Sequence, residues 1–146
     1  MFPYSMATAA FCLPRPACDG LVTYLNLAER ECVPLLTDIE RRGQGCLAIR
    51  PLAAGRLLDS SLTEGQALAR VCQALRIPPA GYAAFALNWP LRHPAVSGVI
   101  VSVSSMEHAR HAVEAVQDAV PDVPAFQEAY QSMESSMPRF PGRQSG

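Results

Sequence analysis

The sequence predicts an α/β protein built on a parallel sheet, and three observations carry that prediction. Residues 46–49 are a continuous apolar run of strand length, as in a strand covered on both faces, and residues 96–103 are the clearest strand in the chain. Each run passes into small residues, Arg50-Pro51-Leu52-Ala53-Ala54-Gly55 in the first case and Ser102 to Ser105 in the second, and then into a helical pattern. Amphipathic stretches separate the runs, so strands and helices alternate along the chain. In such scaffolds ligands collect where strand ends meet helix starts, so these two loops form a candidate phosphate-binding rim.

The elements follow in order. Residues 1–18 read as an irregular leader, because Pro3, Pro14 and Pro16 interrupt them and Pro14-Arg15-Pro16 cannot continue a helix. They lack the basic start of a signal peptide. Asp19-Gly20 is a turn pair, and residues 21–25 are a short β-prone strand. Residues 28–42 read as a helix, with Cys32, Leu35, Leu36 and Ile39 on one stripe. Pro34 moves the helix proper to about Val33, and Gly43 and Gly45 cap its end. Residues 43–48 match G-x-G-x-x-A by letter. They follow a helix and precede a strand, the reverse of a dinucleotide fingerprint, so that reading is rejected.

Thr63 with Gln66 forms a capping box, and Ser61 with Glu64 is an overlapping alternative. The helix behind it places Leu68, Val71, Cys72 and Leu75 on one face. Pro78-Pro79 stops that helix and starts another over residues 80–91, which is apolar nearly all round and therefore buried, with Pro90 ending it. After the strand at 96–103, Ser104 with Glu107 makes a second capping box into a helix whose stripe is Met106, Ala109, Val113 and Val116. Residues 19–120 thus form the ordered unit, and residues 121–146, rich in Ser, Pro, Gly and Arg, a frayed tail.

The chain has 146 residues, 49% of them apolar, which is core enough for one domain. A net charge of −1 with scattered arginines argues against a nucleic-acid binder. No run nears the ~18 apolar residues of a membrane span. Five cysteines, an odd number without a C-x-x-C, read as free thiols in a reducing, cytoplasmic setting. No G-x-S-x-G elbow and no Walker A motif is present.

A longer pattern now stands out: Tyr24 and Asn26 after the first strand, Pro51-Leu52-Ala53 with Gly55 and Leu57, Ala86-Leu87-Asn88-Trp89, His93-Pro94-Ala95-Val96, and Val99-Ile100 before Ser104-Ser105-Met106-Glu107. In order and spacing this resembles the C-terminal part of an aldo-keto reductase, over roughly two-thirds of the chain. The resemblance implies the last three β-α units of a (β/α)₈ barrel, a fold that needs ~250 residues when complete. It implies NADPH as cofactor and carbonyl reduction as chemistry. The family's catalytic Tyr, Asp, Lys and His belong to the earlier half, no segment here matches their contexts, and the sequence contains no lysine.

By resemblance, Tyr24 stacks on the nicotinamide. Leu52, Gly55 and Leu57 line the pyrophosphate, with Gly55 admitting close backbone approach. Ser102, Ser104 and Ser105 face the adenosine 2′-phosphate at a helix start. Where the family carries Arg, Glu and Asn on the last helix, this chain has His108, His111 and Ala112. NADPH binding is therefore expected to be weak or lost. Read without the family, Tyr24 and Trp89 are core aromatics, Cys46 is a core thiol, and His108 and His111 lie on a solvated helix face rather than binding metal. Two functions follow as expectations. One is a reductase-like chain that keeps the cofactor side and is inactive alone. The other is an assembly module that completes its barrel as a homo-oligomer or with a chain carrying the missing half.

Overall fold

The computed structural model describes residues 5–117. At its centre three parallel strands lie side by side in the order β1 (Gly20–Tyr24), β2 (Gly45–Ile49) and β3 (Val96–Ile100). Five helices accompany them: α1 (Met6–Cys12), α2 (Val33–Arg41), α3 (Thr63–Ala74), α4 (Tyr82–Asn88) and α5 (Met106–Gln117). Short 3-10 turns cover Ala53–Leu58, Pro79–Gly81 and Pro90–Arg92. The parallel α/β reading of the sequence holds, and the arrangement is a partial barrel that does not close.

Register explains which residues are core. Leu21, Cys46 and Val96 lie in one row, and Thr23, Ala48 and Val99 in another. Their side chains share the face that packs on the helices, meeting Leu36 and Ile39 of α2 and Leu68, Val71 and Cys72 of α3 in one apolar cluster. The opposite face carries Tyr24, Leu47 and Ile100, exposed by 38%, 38% and 50%. The expectation that residues 46–49 are buried on both faces fails at Leu47: no layer among the described residues covers the second face.

Several boundaries shift for local reasons. The leader is not irregular throughout: Ser5 accepts a hydrogen bond from the Thr8 N–H and opens α1, whose Ala9 enters the core with Leu13 just beyond it. Within the helical stretch read over 28–42, the helix proper begins at Val33, where Pro34 in its first turn places it, and residues 26–32 are bent into turns. Gly43, at φ +67°, ends α2 in a Schellman motif, its N–H bonding to Glu40 and that of Gln44 to Ile39. Gly45 is not part of that cap. It starts β2, where a Cβ would meet Ser97 Oγ at 2.6 Å.

The capping boxes also move. Leu62 precedes α3 and makes no side-chain cap; Ser61 bonds to Asp59, and Glu64 pairs with Arg56. Strand β3 stops at Ile100 instead of 103, since its neighbour β2 ends opposite it at Ile49. On α5 the stripe expected to be buried faces outward: Met106, Val113 and Val116 are 86%, 60% and 54% exposed. The helix instead turns Ala115 inward against α4, where Asn88 Nδ2 donates to its carbonyl.

Two predictions follow. Helix α3 ends with Arg76 in the left-handed region, φ +58°, inside a Schellman motif closed by Ile77 N–H to Cys72 and Arg76 N–H to Gln73. A side chain there costs about 1 kcal/mol that glycine avoids. Arg76→Gly is expected to raise stability by about 0.5–1 kcal/mol, read from the urea midpoint. His93, half-buried and edge-on to Trp89 at 5.0 Å, has its pKa lowered from 6.5 by burial. The fold thus favours the neutral ring, so the unfolded chain binds the extra proton first as pH falls. Its contribution is complete above about pH 6.5 and is lost progressively below. Denaturation across pH 5–8 is expected to show that loss, with His93→Gln flattening it.

Candidate cofactor-side site at the strand ends

The site is assembled from two loops that leave the C-terminal ends of β1 and β2. Asn26, fully buried, follows β1 by two residues. Its Oδ1 accepts the N–H groups of Ala28 and Glu29, each at 2.9 Å, which bends the chain into a turn. Its Nδ2 donates to Glu29 Oε2 at 2.7 Å and to the carbonyl of Arg50 at 2.8 Å, across to the second loop. One buried amide therefore uses both ends and ties the two loops together.

The second loop needs that tie. Arg50, Ala53 and Ala54 have φ values of +58°, +50° and +56°, and Gly55 one of +88°. Left-handed backbone costs a non-glycine residue about 1–2 kcal/mol. Such a run persists only where its surroundings over-determine it, and it marks functional loops more often than plain connections. Here Ala53 N–H bonds to Arg50 and Gly55 N–H to Leu52, at 2.8 and 2.9 Å. Pro51, Ala53 and Leu57 are buried. Arg50 pairs with Glu29 at 3.4 Å and lies 4.7 Å over the Tyr24 ring. Arg56 pairs with the buried Glu64 carboxylate.

Beside this loop is a cavity of about 620 Å³, lined among others by Leu52, Ser102, His108, His111, Ala112 and Glu114. Leu52, Ser102 and His108, far apart in the chain, thus line one cavity. Gly55 is exposed, and no atom lies within 4 Å of where its Cβ would stand, leaving the backbone open to a ligand. Tyr24 ends β1 with one ring face under Arg50. Leu57 is 1% exposed and belongs to the core, which corrects its placement on the rim.

The start of α5 is wired differently from the sequence expectation. Ser105 is its cap, its Oγ accepting the His108 N–H at 3.1 Å, and Ser104 Oγ sits 3.0 Å from His108 Nδ1. Ser104 with Glu107 therefore does not form the box. One N–H and both hydroxyls already have partners, so less of the helix start is free for an anion than expected. Glu114 adds a carboxylate to the same cavity, and Arg110 pairs with it at 3.7 Å rather than lining the space. The thiols take no part: burial pushes Cys32 and Cys72 up to about 12 and Cys46 up to about 11. Among the described residues no group of three or more His, Cys, Asp or Glu could hold a metal.

A parallel three-stranded part of a barrel with a strained loop at its strand ends is the class of scaffold the structure defines, and comparison with known proteins assigns it to a family. The family model of the aldo/keto reductase family matches residues 17–123, so the chain belongs to that family. Among solved structures it resembles the aldo-keto reductase AKR11C1 from Bacillus halodurans, apo form, with a TM-score of 0.77 at 19% identity, over 98% of this chain and 52% of that one. The holo form matches with a TM-score of 0.75 at 20% identity, over 98% and 51%. A thermostable aldo-keto reductase, Tm1743, in complex with epalrestat, matches with a TM-score of 0.67 at 14% identity, over 89% and 46%. The chain therefore spans about half the length of these relatives. Among curated proteins none matches.

Asn26 is the residue whose role sequence reading missed. Its signal was present, a short amide directly after a strand, where Asn makes its own turn; its bond to Arg50, 24 residues on, was not. Asn26→Ala leaves the part-buried Arg50 carbonyl and two N–H groups without this partner. The expected loss is about 1–3 kcal/mol of stability, with residues 50–56 becoming the first site of limited proteolysis.

Proposed function

We propose that this chain supplies the cofactor side of an NADPH-dependent carbonyl reductase and has no turnover by itself. The observation that carries this reading is the left-handed run at Arg50, Ala53, Ala54 and Gly55, clamped by Asn26 and opening beside the cavity of Leu52, Ser102 and His108. A bound dinucleotide would bring a transferable hydride. For this chain the work is binding: Gly55 lets the backbone approach a pyrophosphate, and Tyr24 at the end of β1 is the aromatic side chain that the family resemblance sets against the nicotinamide. The adenosine end fits less well. Ser104 and His108 are bonded to each other, Ala112 has no hydrogen-bonding side chain, and Glu114 repels a phosphate. Affinity is therefore weak. Inactivity is inferred from the sequence, which has no lysine and no match to the family's catalytic contexts.

The second reading concerns assembly, and the uncovered sheet face favours it. Tyr24, Leu47 and Ile100 on that face, with Val103, Met106, Val113 and Val116 nearby in sequence, are exposed apolar side chains. Each forgoes up to about 1.5–3 kcal/mol that full burial would contribute. Strands β1 and β3 also present open sheet edges among the described residues. We infer that a second copy, or a chain carrying the complementary half-barrel, covers this face.

One experiment tests both readings: size-exclusion chromatography with light scattering, with and without excess NADPH, beside a carbonyl-reduction assay. A discrete species heavier than 15.7 kDa, binding NADPH and showing no turnover, is the expected result. His108→Arg restores a fixed charge at the cavity and is expected to tighten NADPH about tenfold while leaving NADH nearly unchanged. A monomer without cofactor response, or turnover by the isolated chain, would overturn the proposal.

A further inference from the structure

At the other end of the sheet, we propose that Cys12 and Cys18 are a paired oxidation site that closes into an intrachain disulfide and locks α1 onto the sheet. Both cysteines are half-buried and both line one cavity of about 610 Å³ at the N-terminal ends of the strands, with Arg15, Asp19, Leu47 and Ser97. This cavity shares no lining residue with the cofactor-side cavity.

The chain between the two thiols is folded back on itself. Arg15 N–H bonds to the Cys12 carbonyl and Cys18 N–H to the Arg15 carbonyl, both at 3.0 Å, giving two successive turns. Gln44, just before β2, then clamps the two ends of this loop. Its single Nε2 donates to the Leu13 carbonyl at 2.8 Å and to the Cys18 carbonyl at 2.5 Å. Those carbonyls cannot be farther apart than two hydrogen-bond lengths, which keeps the segments bearing Cys12 and Cys18 together. Cys18 Sγ lies 3.6 Å from the Gly20 carbonyl, beside the cavity mouth.

The remaining thiols are poor competitors. Cys32, Cys46 and Cys72 are fully buried, and burial keeps them protonated far above neutral pH. A protonated, enclosed thiol is neither a nucleophile nor reachable. Oxidation is thus confined to the accessible pair.

With hydrogen peroxide as oxidant the chemistry balances. The thiolate of one cysteine attacks a peroxide oxygen, the O–O bond breaks, and a sulfenic acid and water result. The second thiolate attacks that sulfur, the S–S bond forms, and a second water leaves. The dithiol gives up two electrons and two protons, and one peroxide is reduced to two waters.

The test uses the full chain. Iodoacetamide on the folded protein is expected to label Cys12 and Cys18 and spare the other three. Peroxide is expected to abolish both labels together, to lower the mass of the peptide carrying both cysteines by about 2 Da, and to be reversed by dithiothreitol. In Cys12→Ser, whose fold is checked by circular dichroism, Cys18 should instead proceed to sulfinic acid or pair between copies. Separate sulfinic acids at Cys12 and Cys18 in the unaltered protein, a link to Cys32, Cys46 or Cys72, or identical Cys18 products with and without Cys12 would each overturn the proposal.

Discussion

The amide of Asn26 is the constraint on which the strand-end architecture depends. It holds four hydrogen bonds from one fully buried side chain, and one of them reaches the carbonyl of Arg50, where the left-handed run begins. Three non-glycine residues in that run together cost several kcal/mol. A single net hydrogen bond returns only about 1 kcal/mol. The loop is therefore held jointly, by the amide, by burial of Pro51, Ala53 and Leu57, and by the ion pairs of Arg50 and Arg56. Removal of the amide is more damaging than its net bond energy suggests, because it strands buried polar atoms in an apolar setting.

The same architecture separates family from function. Membership of the aldo/keto reductase family rests on the match over residues 17–123. At the strand ends Arg50 to Gly55 form a strained loop, while the start of α5 spends its hydroxyls on internal bonds and Glu114, further along that helix, lines the adjoining cavity. A carboxylate there disfavours an anion in that cavity. The sheet meanwhile turns one face to the helices and leaves Leu47 and Ile100 on the other.

Much of the fold was legible because it is local. The stripes at Cys32, Leu36 and Ile39 and at Leu68, Val71 and Cys72 face the core as their spacing requires. Proline and glycine punctuation placed the ends of α2 and α4. Failures came where a nonlocal partner decided the outcome. Helix α1 is too short to persist alone and is held by Gln44, 31 residues beyond Leu13. The serine and threonine caps ahead of α3 did not form, because Asp59 took Ser61 and Arg56 took Glu64. On α5 the stripe of Met106, Val113 and Val116 faces outward, while Ala115 is buried and its carbonyl accepts from Asn88 of α4, a contact 27 residues apart in the chain.

The sequence by itself determined the alternation of strands and helices, the parallel sheet, the family, the loop at 50–57 and the absence of lysine, because each is written in periodicity, residue type or ordered motifs. Only the tertiary structure decided that Asn26 clamps Arg50, that Leu57 is core while Leu52 and His108 share a cavity, that no layer among the described residues covers one sheet face, and that Cys12 and Cys18 line one cavity. Those features depend on register and on contacts between residues far apart in the chain. Composition and spacing carry no record of which distant group a buried amide or thiol will meet.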